Sequence, residues 1–145
     1  MNVHREKGIT AYQEARFNEF DQAELILMMF TGAVSFLDKA VECSKTDKRR
    51  MGYYISRAKN VLLEIMSSLN LKESGEIGSL LLDTYSRQYR ALHQAQMTDN
   101  RDKVILVRNS LAEIGDAWKE VFKSEEYLEF KRRRRNHPQG AYSSR

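Results

Sequence analysis

Glu24-Leu25-Ile26-Leu27-Met28-Met29-Phe30-Thr31-Gly32-Ala33-Val34-Ser35-Phe36-Leu37 is apolar around almost its whole circumference if wound as a helix. A helix on the outside of a small bundle shows one apolar stripe and one charged face. Here Leu25, Met28, Met29, Gly32 and Phe36 fall on one side, and Ile26, Leu27, Phe30, Val34 and Leu37 on the other. Such a helix must be buried on most sides, by its own chain or partly by a partner. Asp21-Gln22-Ala23-Glu24 reads as the capping box that opens it: the Asp side chain accepts from the N–H three residues on, and the Glu reaches back. The helix is expected to run to about Glu42, and Thr31, Ser35 and Asp38 keep it from reading as a membrane span.

Three more helices follow. The polar run Ser44–Arg50 is a loop with Asp47 placed to cap the second helix, about 48–69, whose stripe is Met51, Ile55, Ala58, Leu62, Ile65 and Leu69. Tyr54, Val61 and Met66 make a second, partial stripe. Asn70–Gly75 reads as a turn, and the third helix, about 76–97, carries Ile77, Leu81, Tyr85, Gln88 and Leu92, with Leu80, Leu82 and Tyr89 beside them. Thr98-Asp99-Asn100 is a break with capping chemistry. The fourth helix, about 101–122, has the stripe Val104, Val107, Leu111, Ile114, Trp118 and Val121. Ser124-Glu125-Glu126 can open a short fifth helix through Tyr127, Leu128 and Phe130. The only proline is Pro138, so nothing before it interrupts a helix.

Long helices joined by short breaks are antiparallel neighbours. The expected fold is therefore all-α: an antiparallel up-down four-helix bundle with an irregular N-terminal cap segment, a short fifth helix and a basic C-terminal tail. A mobile segment at 1–20, a bundle domain at 21–130 and a disordered basic tail at 131–145 divide the chain. With 145 residues there is room for one domain and one core. The formal net charge of +4 is a property of the tail: residues 131–145 hold six positive residues and no acid, leaving 18 positive against 20 negative before them, a net −2.

Enzymatic chemistry finds little to work with. His4, His93 and His137 are far apart, no Glu-x-x-His pair occurs, and no glycine-rich phosphate loop precedes a helix, so neither a metal nor any other cofactor is expected. Cys43 has Lys45 and Lys48 nearby, which favour a thiolate, but a small residue near a helix end is the plainer reading. His93 lacks the lysine and glycine that phosphotransfer bundles usually place just after their histidine. One cysteine permits no internal disulfide and fits a reducing, cytosolic location. The N-terminus has no apolar signal-peptide core.

What the sequence offers instead is excess apolar surface. Beyond the three apolar positions per heptad that a bundle helix needs, the chain adds Tyr54, Val61, Tyr85 and Tyr89 to its middle helices and Ile9, Tyr12, Phe17 and Phe20 to its N-terminus. A groove for a partner helix is one reading; a packed core with tyrosine hydroxyls at the rim is the other. Residues 9–20 can cap that groove and move when a partner arrives, or pack permanently across one bundle end. The expected partner-binding residues are Ile9, Tyr12, Phe17, Tyr54, Val61, Leu81, Tyr85 and Tyr89.

An ordered set of residues also resembles the flagellin export chaperones, the FliS family. It comprises Glu24–Phe30 with Gly32-Ala33 and Phe36-Leu37; Tyr12-Gln13; Arg57-Ala58, Val61-Leu62, Glu64-Ile65 and Leu69; Gly75-Glu76-Ile77; Leu81, Tyr85, Arg90, Leu92 and Ala95; and Asp99, Ile105, Leu111 and Trp118. The chain departs from that pattern at Gln22-Ala23, where members often have proline, at Phe30-Thr31-Gly32 for Tyr-Asp-Gly, at Arg87 for a tyrosine, at Gln96 for an asparagine and in its basic extension. The resemblance implies a cytoplasmic chaperone that binds the disordered C-terminal segment of flagellin, prevents early polymerisation and delivers it to the export gate of the flagellar type III apparatus. It implies no small-molecule substrate and no membrane insertion. Two other classes remain open from the residues alone: a nucleic-acid-binding bundle using the basic tail, and a self-associating structural bundle.

Overall fold

Five helices account for nearly all of the chain seen in the computed structural model, which describes residues 22–69 and 71–136. They are α1 (Gln22–Cys43), α2 (Lys48–Ser67), α3 (Leu71–Thr98), α4 (Arg101–Lys123) and α5 (Glu125–Asn136), and no strand occurs among the described residues. The Asp21 side of the expected capping box, the N-terminal segment and the tail beyond Asn136 lie outside the described residues.

The breaks follow from local chemistry. At the end of α1 the Asp47 N–H donates to Cys43 O at 2.8 Å, and the Asp47 carboxylate then accepts from the Arg50 N–H at 3.1 Å, capping α2 as its sequence suggests. At the end of α3, Asp99 adopts φ 49° and the Asn100 N–H reaches back to Ala95 O at 3.0 Å, the six-to-one bond of a Schellman ending. The Asn100 side chain then accepts from the Lys103 N–H and starts α4.

Two boundaries differ from expectation. The expected turn over Asn70–Gly75 is already helical from Leu71, and the break falls at Gly75 alone, with φ 55° and ψ −127°. Only glycine holds that conformation cheaply, so α3 is two helical pieces joined at a glycine. The fifth helix continues to Asn136 and carries the run Lys131–Arg135 that was expected in a disordered tail. Glu125 and Glu126 occupy its first turn, arginines its last turns, and Arg132 pairs with Glu129 at 3.1 Å. That order of charge matches the helix dipole at both ends.

α1 packs on α2 and α4, and α3 packs on the same two, which closes a four-helix ring; α5 leans on α4. The nearly all-apolar α1 is thus explained by two close neighbours. Ala33, Leu37 and Ala40 are wholly buried, and the small alanines let those neighbours come near, while Ile26, Met29, Val34, Phe36 and Val41 pack at the margins. The ring is unevenly filled along its axis. On α3 the buried apolar residues are Tyr85, Leu92 and Ala95, and on α4 they are Val104, Val107 and Leu111. Both sets lie toward the α3–α4 turn. Trp118, expected in the core, is only half-buried, and Val121 is exposed, so the α4 stripe fades as it runs away from that turn.

Candidate partner-binding site

Polar cross-links hold the end of the bundle that contains the α1–α2 and α3–α4 turns. The Gln96 amide donates to Gly52 O at 2.8 Å and to Ser56 Oγ at 2.7 Å, while its oxygen accepts from Lys59 Nζ at 3.1 Å, tying α3 to α2. Lys59 Nζ also lies 3.0 Å from His93 Nδ1. Lys103 donates to Gln94 across the α3–α4 seam, and Arg108 Nε donates to Asp38 at 2.7 Å across the α1–α4 seam. This is the closed end. His93 is spent on structure here, and Cys43 donates a weak bond to Ala40 O.

The opposite end is open. It gathers the start of α1, the end of α2, the start of α3, the end of α4 and all of α5. There Ile77 is 69% and Leu80 64% exposed, and Met28, Leu63, Val121, Leu128 and Phe130 are exposed with them. A large apolar side chain left in water forfeits roughly 1.5–3 kcal/mol of burial, so these seven residues, against Tyr53, Met97 and Leu106 exposed toward the other end, make this the richer apolar surface. A groove of about 180 Å³ between α1 and α4 continues it, with Leu27, Phe30 and Val34 on one wall and Leu111, Ala112 and Gly115 on the other. Its depth depends on Gly115: a β-carbon there would come within 3.2 Å of the Phe30 Cβ. The groove has room for one large apolar side chain, with Asp116 and Lys119 at its lip.

The residues expected at the site are not gathered in one place. Ile9, Tyr12 and Phe17 lie outside the described residues. Tyr85 is 1% exposed and belongs to the core: its ring meets Phe30 edge-on at 5.9 Å, and its hydroxyl accepts from Trp118 Nε1 at 2.9 Å. Burial pushes the Tyr85 phenol up from its usual range, and the bond from Trp118 offsets part of that. Tyr54 stacks on Phe36 at the α1–α2 seam, whereas Tyr89 lies under Lys59 at the α2–α3 seam. Val61 and Leu81 are half-buried against the core margin. The exposure of Leu63, Ile77 and Leu80 was not foreseen. The break at Gly75, just before Ile77, is the sequence signal that could have raised it.

Among the described residues, no group of three or more His, Cys, Asp or Glu could hold a metal ion. No helix there is long and apolar enough to cross a membrane. The layout is a helical bundle bridged by polar side chains at one end and richer in exposed apolar side chains at the other. Residues 5–125 match the family of flagellar protein FliS, and the chain belongs to that family. It is 29% identical to the flagellar secretion chaperone FliS of Bacillus subtilis over 80% of this chain and 86% of that protein. Identity is 26% to its counterpart from Campylobacter jejuni, covering 79% and 91% of the two chains, and 28% to that of Salmonella typhimurium, covering 82% and 93%.

Proposed function

We propose that this protein is a flagellar secretion chaperone of the cytosol that holds the disordered C-terminal segment of flagellin, keeps it from polymerising early and passes it to the flagellar export gate. It acts by binding, not by catalysis. The observation that carries the reading is the open end, in a chain of this family: exposed Ile77 and Leu80, with an apolar groove beginning at Leu27 and Phe30. An amphipathic partner helix seats one side chain in the groove and lays others along Ile77 and Leu80. The segment then follows the seams that carry Val61, Leu81 and Tyr89. Tyr54 sits further off, toward the closed end. A disordered client gives up chain entropy on binding, so it must wrap a wide surface to bind tightly.

Calorimetric titration with the C-terminal segment of the cognate flagellin, at low and high salt, tests this. The expected result is 1:1 binding that survives salt and shows a large negative heat-capacity change. Absence of binding at both salts would overturn it.

A further inference from the structure

The closed end carries a second kind of surface. Phe36 of α1 and Tyr54 of α2 stack at 6.5 Å with 25° between their planes, half-buried at the seam. Three cations cover them. Lys39 Nζ lies 5.9 Å from the Phe36 centroid and 5.8 Å from that of Tyr54; the Arg57 guanidinium lies 5.3 Å from Phe36; and that of Arg50 lies 5.9 Å from Tyr54 and donates to its hydroxyl at 3.3 Å. Lys39, Arg50 and Arg57 are all exposed, and none of the three pairs with a carboxylate among the described residues. The nearby Asp47 carboxylate accepts from the Arg50 N–H, and its charge also acts on the Arg50 guanidinium without a direct ion pair.

The charge is out of keeping with its surroundings. Residues 1–130 are net negative, yet here Lys48 and Arg49 add to Arg50 in the first turn of α2, where the N-cap Asp47 is the one acid and the positive charge opposes the helix dipole. Three cations against the single Asp47 cap leave this helix start in net positive excess, and such an imbalance points to a use elsewhere.

We propose that the α1–α2 corner around Phe36 and Tyr54 is a second partner surface, which receives an acidic protein segment through Lys39, Arg50 and Arg57. A guanidinium held over a ring still has N–H donors to offer a carboxylate: Arg57 lies over Phe36, and Arg50 spends one donor on the Tyr54 hydroxyl and keeps the others. The stacked pair and the cations above it leave nucleic-acid bases no open platform on these two rings. Both rings are half-buried, which gives a membrane little to hold. The adjoining Tyr53, 57% exposed and 5.3 Å from Tyr54, supplies an apolar contact beside the charges. The corner is remote from the open end, so both surfaces can be occupied together.

The test is a titration of the full chain with a fluorescent peptide of alternating Asp and Glu around one Trp. A Gln/Asn version, oligo-dT and phosphatidylglycerol vesicles serve as alternative probes. The acidic peptide should bind, weaken with salt, and lose about tenfold or more in affinity in the double variant Arg50→Glu/Arg57→Glu. That variant should melt like the parent and bind the flagellin segment as the parent does. Equal binding of the Gln/Asn peptide, or an unchanged affinity in the double variant, would overturn the proposal. So would oligo-dT or vesicles binding more tightly than the peptide and losing that binding in the variant.

Discussion

The two ends of this bundle use the same helices and similar side chains, but they spend them differently. At the closed end Leu92, Ala95, Val104 and Val107 are buried, and Gln96, Lys103 and Arg108 bridge between helices. At the open end the same helices continue with Ile77 and Leu80 on α3 and Val121 on α4, all exposed and, among the described residues, without polar bridges between those helices of the kind that flank exposed Met97 and Leu106 at the closed end. Stability should therefore be concentrated at one end and binding at the other. On the function proposed above, the end that meets the client is then not the end that holds the fold.

The sharpest way to break that comparison is at its closed end. Leu92→Ala removes a wholly buried side chain and should cost about 2–5 kcal/mol in urea unfolding. A cost below about 1 kcal/mol would mean that the fold is not anchored there. The complementary change is Ile77→Glu/Leu80→Glu. Both side chains already face solvent, so the double variant should stay within about 0.5 kcal/mol of the parent in stability. It should nevertheless weaken the flagellin segment by about thirty-fold or more, or ~2 kcal/mol by calorimetry. Normal binding would remove these residues from the site.

Gln96→Ala probes the latch itself. It deletes two donated bonds and one accepted bond that are partly buried, and should cost about 1–2 kcal/mol while leaving client affinity unchanged. If client affinity falls as well, the two ends are coupled, and the division of labour drawn from burial is too simple.

Sequence periodicity marks which side of a helix is apolar but carries little about position along the axis. That is why the four helices were legible, as from local chemistry were the Asp47 cap and the capping break at Thr98-Asp99-Asn100, while the candidate site was legible only in part. Met51, Ile55, Ala58, Leu62 and Ile65 repeat at helical spacing, and all are buried as expected. The α4 stripe repeats equally well through Trp118 and Val121, yet it runs past the point where the ring is filled, so identical patterning ends in a different environment. Tyr85 misled in the opposite sense. A tyrosine beyond the heptad's needs reads as a rim residue, but Trp118 supplies a donor that lets its hydroxyl go inside. The reach of α5 to Asn136 was hidden because a run of arginines looks solvated, whereas at a helix C-terminus it is favourable.

Tyr85 also marks the boundary between the ends, and the smallest expected effect lies there. Tyr85→Phe keeps the edge-on contact with Phe30 but leaves Trp118 Nε1 without its acceptor, for about 1 kcal/mol at neutral pH. The same residue sets an alkaline signature. Burial raises its folded pKa above the ~10 of an exposed tyrosine, so below pH ~10 the phenol is protonated in both states and its contribution is fully present. Above that, the unfolded chain loses the proton first, and stability falls as pH rises from ~10 through the raised folded pKa. Urea midpoints measured from pH 8 to 11 should drop more steeply in the parent than in Tyr85→Phe. Parallel curves would mean that the phenol is not shielded, and the open end would then begin deeper in the bundle than the burial of Tyr85 indicates.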